Sequence, residues 1–430
     1  MQVFSKERLL EELEQCPQVE GIDPIEAAER LADMAAIGAT PEGGITRYPY
    51  AKEENQVKEL FRSWMEQMGL DVYEDTVGNL FGRLEGENPE LPVVMTGSHL
   101  DTVPNGGAFD GALGCLSSLM AIESLIKQGK KPNRTIELAV FVDEEGARFE
   151  KGLFGSRVMM GEVTPNELGR LVDADGVTLE KAMREAGYDP NRIAESRRRP
   201  EDIFAFLELH IEQGRILESE EKKIGIVNGI AGPSWKSFTF LGSTDHAGNT
   251  PMHLRKDAVA AASEFILGIE KLPRMFSPTA VATVGKLNVF PNGTNIISGK
   301  TEVFVDARDI QEETRERMLE AIIELAQETA QKRGLQVEID HIISIPPVLV
   351  PDWIQSAVAA AAERNGLPAR TLPSGAGHDA MIIGKHVPSG MIFVPSFHGK
   401  SHSPEEWTSL PDCVNGMLVM RDALWELAKK

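Results

Sequence analysis

Apolar positions recur at helical spacing over residues 5–36, and a Gly/Pro-rich loop follows from Gly38 to Gly44. Helical spacing returns over 51–69 and stops at Gly69. Short strand patterns come next, at 71–73, 80–84 and the apolar run 92–96. Ala112–Lys127 reads as a mostly apolar helix and 136–142 as a buried strand, with further apolar strand-like runs at 203–207 and 391–394. Helices alternating with short apolar strands predict an α/β domain built on a largely buried, mixed sheet flanked by helices. Sheets rich in parallel strands bind ligands at the carboxyl ends of those strands. The two densest polar clusters fall there: Ser98-His99-Leu100-Asp101 after one strand and Asp143-Glu144-Glu145-Gly146 after another.

The pattern changes near residue 230. Strand-like alternation over 235–241 is followed by a helix over 257–269, strands over 279–289 and 300–305, a long helix over 314–333 that ends at Gly334, and a strand over 337–343. This β-α-β-β-α-β order predicts a small two-layer domain of ferredoxin-like α+β arrangement. Pro346-Pro347 mark the return to the first domain. The organisation expected is therefore a large domain in two parts, 1–229 and 347–430, with 230–346 inserted between them.

Charge narrows the classes of partner. The 430 residues carry 44 basic and 66 acidic groups, a net charge of −22. Such a chain is repelled by nucleic acid and by anionic membranes, and neither is an expected partner. The one basic run, Arg197 to Arg199, is answered by Glu195, Glu201 and Asp202 and reads as a solvated surface loop. Cys16, Cys115 and Cys413 form no CxxC pair and suggest no disulfide framework, so inert thiols in a reducing compartment are expected. The first residues are charged and amphipathic, and no run of about 18 apolar residues occurs, so neither a secretory leader nor a membrane span is expected and the location read from the sequence is cytoplasmic.

Six residues suggest a metal site. His99 stands two residues before Asp101, an acceptor able to orient an imidazole. Asp110 lies among glycines in Gly106-Gly107-Ala108-Phe109-Asp110-Gly111, where backbone can approach a ligand closely. Glu144 and Glu145 are adjacent carboxylates after a buried strand, a costly pair unless a cation or a proton relieves it. His210 and His402 each follow an apolar run. Taken singly, each has an ordinary structural reading: a surface pair, an Asx turn, a solvated turn, a satisfied core histidine. As a set, three histidines and several carboxylates suit Zn²⁺, Mn²⁺, Co²⁺ or Ni²⁺, and the lack of cysteine ligands argues against a closed structural zinc site. Five ligands are too many for one tetrahedral ion with an open position, whereas two ions sharing a bridging carboxylate need about that number.

The stretches GSHLDTVPNGGAFDG (97–111), FVDEEGARF (141–149), LELHIEQG (207–214), DHAGNTPM (245–252), NIISG (295–299), VDARD (305–309), SGAGHDA (374–380) and GKSHSPEEW (399–407) resemble, in order, the hydantoinase/carbamoylase branch of the dinuclear metallo-aminoacylases and peptidases. That branch holds N-carbamoyl-L-amino-acid hydrolases, β-ureidopropionases and allantoate amidohydrolases. The resemblance runs from about residue 25 to the end and implies a metallo-aminopeptidase-like catalytic domain with an inserted lid and dimerisation domain. It implies two divalent ions per subunit (Zn, Mn, Co or Ni). His99 and His210 would be ligands of the first, Glu145 and His402 of the second, and Asp110 the bridge. Glu144 resembles the general base and Asp101 the residue that orients His99. A histidine at 210, where related peptidases and deacylases place a carboxylate, points away from peptide substrates.

The resemblance also implies a homodimer in which His246, Asn295 and Arg308 reach the active site of the neighbouring subunit. His246 would steady the oxyanion, and Arg308, assisted by Asn295, would hold a substrate carboxylate through a bidentate pair. The other reading of Arg308 is a surface pair with Asp306 or Asp309. Gln213 resembles a contact to the ureido group, and Gly375 and Gly377 resemble backbone contacts to substrate. The reaction implied is hydrolysis of the ureido C–N bond of a small N-carbamoyl-L-amino acid. Allantoate, β-ureidopropionate, an N-acyl amino acid or peptide, and a binding protein without catalysis are the rivals; retention of Glu144 speaks against the last.

Overall fold

The computed structural model describes residues 3–17 and 20–430. Thirteen strands are named in chain order: β1 (Asp71–Glu74), β2 (Leu80–Leu84), β3 (Val93–His99), β4 (Ile136–Phe141), β5 (Ile203–Ile211), β6 (Ile224–Ile230), β7 (Gly232–Leu241), β8 (Val281–Phe290), β9 (Lys300–Asp309), β10 (Gln336–Ser344), β11 (Val348–Leu349), β12 (Ala369–Ser374) and β13 (Ser389–Val394). They form a nine-stranded sheet, ordered β1-β2-β4-β3-β5-β13-β6-β11 with β12 beside β6, and a four-stranded sheet ordered β10-β7-β9-β8. Contacts divide the chain into two compact units. One comprises residues up to Asn228, Val350–Leu372 and His378–Lys430; the other comprises Gly229–Leu349 and Pro373–Gly377.

In the first unit β4, β3, β5 and β13 are parallel neighbours, and antiparallel strands flank them on both sides. Every residue of β3, β4 and β13 is buried, which is why these segments read as continuous apolar runs rather than as alternation. Ala112–Lys127 is buried on nearly all sides, packed against β3, β5 and the C-terminal helix Leu410–Ala428. Two details depart from the sequence pattern. The expected helix over 5–36 is broken into Lys6–Glu11, a 3₁₀ turn Leu13–Gln15 and Pro24–Ala36. The second α-helix starts afresh because the Asp23 side chain accepts the Ile25 N–H and Pro24 fits the first turn. β3 runs three residues past the apolar 92–96, carrying Gly97, Ser98 and His99 into the buried strand end.

The basic run does not stay in solvent as expected. Arg198 turns inward to Glu137, the second residue of β4, at 2.9 Å, and neutralises a carboxylate with no exposure of its own. Arg199 does pair with Asp202 at the surface. The three cysteines are buried free thiols, and burial pushes the Cys16 thiol up to about 11. Among the described residues no helix is long and apolar enough to cross a membrane.

In the second unit all strand pairs are antiparallel. β7, the helix Ala258–Ile269, β8, β9, the helix Glu312–Arg333 and β10 follow in β-α-β-β-α-β order. β9 alternates strictly between buried and half-buried positions, and its inward face (Val303, Val305, Ala307) meets Phe238, Phe240, Phe265, Met318 and Ile322 in one apolar core. The short segment 373–377 joins this unit, beyond the span 230–346 read from the sequence: Ala231 N–H donates to the Ser374 carbonyl at 2.8 Å, and Arg308 Nη1 donates to the Gly375 carbonyl at 2.6 Å.

Candidate metal centre

Four parallel strands deliver the polar cluster of the first unit. His99 is the last residue of β3 and pairs with Phe141, the last residue of β4; Asp143, Glu144 and Glu145 follow just beyond. His210 is the penultimate residue of β5 and pairs with Phe393 of β13, whose chain continues through a loop to His402. Asp110 lies two residues before the helix Ala112–Lys127. Gly111 between them has φ +62°, and a Cβ there would meet the His99 ring at 2.4 Å, so only glycine lets the loop pass this close.

Asp110 stands at the centre. Its Oδ1 lies 3.1 Å from His210 Nε2 and 3.5 Å from His99 Nε2, and its Oδ2 lies 3.4 Å from His402 Nε2. The same His402 nitrogen is 3.4 Å from Glu145 Oε2. The candidate ligand atoms fall into two groups that share Asp110: His99, Asp110 and His210, and Asp110, Glu145 and His402, each with its atoms within 4.8 Å of one another. Glu144 Oε2 lies 3.6 Å from His99 Nε2. The Asp101 carboxylate accepts the backbone N–H groups of Glu144 and Glu145, both at 3.1 Å. It thus fixes the turn that carries both glutamates, while its own backbone carbonyl lies 3.1 Å from His99 Nδ1.

These donors fit a cation. His99 Nδ1 and His210 Nδ1 face the carbonyls of Asp101 and Ile211, at 3.1 and 3.0 Å, which assigns the proton to Nδ1 and leaves the Nε2 lone pair pointing inward. Gly111 N–H donates to His210 Nε2 at 3.3 Å, in keeping with that tautomer. Imidazole nitrogens and carboxylate oxygens converge at 3.1–3.6 Å, a contact that needs either a shared proton or a cation between the atoms. Glu145 Oε1 is buried with no hydrogen-bond partner.

The electrostatics show the same demand for positive charge. Burial, reinforced by Glu145, Asp379 and Asp101, pushes the Glu144 carboxyl well above its usual range. Burial and Asp110 raise Glu145 to about 7. Burial raises Asp110 too, but His210 and hydrogen bonds to the three histidines outweigh it and hold that carboxyl well below the ordinary value. His402 rises to about 9, chiefly through its hydrogen bond to Asp110.

Gln213 joins this cluster through Nε2, 2.7 Å from Asp110 Oδ2. The remaining residues singled out in the sequence lie in the second unit. His246 Nδ1 accepts the N–H groups of Gly248 and Asn249, and Ala247 N–H donates to the Asn295 carbonyl at 3.0 Å, so His246 and Asn295 stand side by side. Arg308 makes the bidentate pair with Asp306, at 2.7 and 3.1 Å, in addition to its bond to the Gly375 carbonyl. Gly375 and Gly377 belong to the same unit.

Several residues escaped the sequence reading. Glu406 is buried and accepts the N–H groups of Phe109 and Asp110. Ser401 Oγ lies 2.7 Å from Asp110 Oδ2. Glu208 accepts from Ser98 Oγ and from Ala380 N–H, and Asp379 is buried nearby with its carboxyl pushed up to about 8 by burial and by Glu208. The one signal available for Glu208 was an acidic residue inside an apolar run, two residues before His210, and for Asp379 an acid within the SGAGHDA stretch.

Residues 95–426 match the model of Peptidase family M20/M25/M40. The chain belongs to that family. M20 members are metal-dependent hydrolases, and the donor set described above suits that chemistry. An N-carbamoyl-L-amino acid amidohydrolase of Geobacillus stearothermophilus is 43% identical over 401 residues, covering 93% of this chain and 98% of the relative. An allantoate amidohydrolase of Bacillus subtilis is 37% identical over 399 residues, 92% of this chain and 95% of that protein. A hydantoinase/carbamoylase family amidase from Burkholderia multivorans superposes with a TM-score of 0.90 at 35% identity, covering 96% of this chain and all of the other. Within the M20 family the chain is thus a member of the hydantoinase/carbamoylase branch.

Proposed function

We propose that this chain is a dinuclear metal-dependent amidohydrolase that cleaves the ureido C–N bond of N-carbamoyl-L-amino acids. The observation that carries the reading is the division of Asp110, one oxygen toward His99 and His210 and the other toward His402. The identity with the Geobacillus amidohydrolase over nine-tenths of both chains supports the substrate class.

His99, Asp110 and His210 would hold one ion, and Asp110, Glu145 and His402 a second, from among Zn²⁺, Mn²⁺, Co²⁺ and Ni²⁺. Bound there, the ions supply Lewis acidity to a water and to the ureido carbonyl, and offset the negative charge around Glu144. Asp101 holds Glu144 in place through the turn. Glu144 accepts a proton as water oxygen bonds to the ureido carbon, and returns it to the leaving nitrogen as the C–N bond breaks. The carbamate left behind decomposes, so the products are amino acid, ammonia and CO₂. Gln213 contacts the ureido group, and Gly375 and Gly377 offer backbone groups to substrate.

A homodimer belongs to the same proposal, with the inserted unit as lid and dimerisation element. His246 of each subunit stabilises the oxyanion, and Asn295 and Arg308 bind the substrate carboxylate, at the neighbour's centre. A mixing experiment checks it. Arg308→Ala and Glu144→Gln are each expected to be nearly inactive alone. After subunit exchange, half the dimers are mixed and each regains one site, so activity returns to about a quarter of the parent's. No recovery despite demonstrated exchange would overturn the shared site.

Ammonia release by metal-reconstituted protein tests the substrate. N-carbamoyl-L-amino acids, N-carbamoyl-β-alanine, allantoate, and N-acetyl amino acids are compared side by side. Highest kcat/KM on an N-carbamoyl-L-amino acid is expected. Preference for allantoate would move the assignment to the second reading, which the Bacillus relative favours. Turnover of N-acetyl substrates alone would overturn both.

A further inference from the structure

We propose that Glu406, acting with Ser401, is a positioning residue that sets the bridging carboxylate of Asp110 between the two candidate metal positions; this rests on the metal-centre reading above. Glu406 is 297 residues from Phe109 in sequence, yet its Oε1 accepts the Phe109 N–H at 2.8 Å and the Asp110 N–H at 3.0 Å. Two consecutive backbone donors on one carboxylate oxygen fix the orientation of the peptide that leads into Asp110. The other oxygen, Oε2, lies 2.9 Å from Ser401 Oγ, and that hydroxyl lies 2.7 Å from Asp110 Oδ2. Backbone and side chain of Asp110 are therefore tied to the same carboxylate, one directly and one through a serine.

The packing around this tie is close. A Cβ at Gly107 would meet Glu406 Oε1 at 2.0 Å, so the glycine lets the loop fold over the carboxylate. Trp407, the next residue, stacks edge-on against Phe109 with ring centroids 5.5 Å apart. His402 stands between Ser401 and Glu406 in the chain. One short segment, 401–407, thus supplies a candidate ligand of the second position and also holds the shared ligand of both. Loss of the tie leaves His99 and His210 on their strands, and releases Asp110 Oδ2 relative to Glu145 and His402. The group of Asp110, Glu145 and His402 is the one that depends on it.

Divalent-ion binding to the full chain, stripped with chelator, tests this by titration calorimetry with Mn²⁺ or Zn²⁺ and by the visible absorption of Co²⁺. The parent is expected to bind two ions per chain. Glu406→Ala should keep the first and bind the second about 10–100-fold more weakly, with a changed Co²⁺ spectrum. Glu406→Gln retains an acceptor for both N–H groups and an amide toward Ser401, and should restore the second ion. Ser401→Ala removes the side-chain tie while Glu406 keeps both backbone N–H donors on Oε1, so it should weaken the second ion selectively even if Glu406→Ala fails to fold. Parent-like binding of both ions by Glu406→Ala overturns the inference, as does parent-like binding by Ser401→Ala when Glu406→Ala is unfolded, or failure of Glu406→Gln to rescue. A parent chain that binds no ion overturns the metal-centre reading and this inference with it; two ions in the parent and in every variant overturns this inference alone.

Discussion

Glu144→Gln is expected to reduce kcat by about 10²–10⁴-fold, the usual contribution of general acid–base catalysis, while the chain folds and binds metal as before. The amide is isosteric with the carboxylate, and the turn that carries it is held by its backbone: Asp101 accepts the N–H groups of residues 144 and 145 whatever side chain stands there. Folding should therefore be untouched or improved, since the buried carboxyl at 144 faces Glu145, Asp379 and Asp101 and is held well above its ordinary range by burial. Measured kcat, ion stoichiometry and thermal midpoint separate the possibilities. Near-parental turnover would mean that another group moves the proton. Loss of metal along with activity would mean that Glu144 is a ligand and not a base. Glu145→Ala is the control with the reverse expectation, since its carboxylate belongs to the group with Asp110 and His402.

Chelation is expected to abolish activity, and Mn²⁺, Co²⁺, Ni²⁺ or Zn²⁺ to restore it. An ion that binds only the folded chain also raises its stability, by about 2.7 kcal/mol at a hundredfold excess over Kd, so the thermal midpoint should fall on chelation and recover with the metal. Protons compete for the same atoms. Glu145 lies at about 7 and His402 at about 9, both protonated below those values, so affinity for the second ion should drop as pH is lowered from 9 toward 6. Full activity in protein shown by elemental analysis to be metal-free would overturn the dinuclear proposal, and affinity that rises as pH falls would place the second ion elsewhere.

Where hydrophobic periodicity was strong, the sequence could be read nearly to the residue. Ala112–Lys127 and Leu80–Leu84 have the observed bounds, and the β-α-β-β-α-β order of the second unit follows the alternation of apolar positions. Reading was poorest where burial is not apolar. β3 extends through Ser98 and His99, and β9 to Asp309, because these polar side chains find partners inside the fold; Asp306 and Arg308 pair with each other on the half-exposed face of β9. The stretch between β4 and β5 gave no period because its helices, such as Phe154–Met159 and Leu179–Glu185, are short and joined by turns. The histidines and the two glutamates of the centre could be picked out because they follow apolar runs, and Asp110 because it lies among glycines. Glu406 and Ser401 could not: their partners lie roughly three hundred residues away, and hydrogen bonds of that range leave no spacing to detect.

The orientation of the imidazoles has a consequence for how this centre can vary. His99 and His210 take their tautomer from the carbonyls of Asp101 and Ile211, main-chain groups that no side-chain replacement removes. The orienting acceptor of each ring is thus immune to point mutation and is lost only when the strand end itself shifts register. Asp110 is held the other way, by the side chains of Gln213, Ser401 and Glu406. Substitutions that alter the geometry of the centre accordingly have few entry points through the histidines and several through Asp110. The fixed and the adjustable parts of one centre meet at Asp110, whose Oδ1 lies 3.1 Å from His210 Nε2.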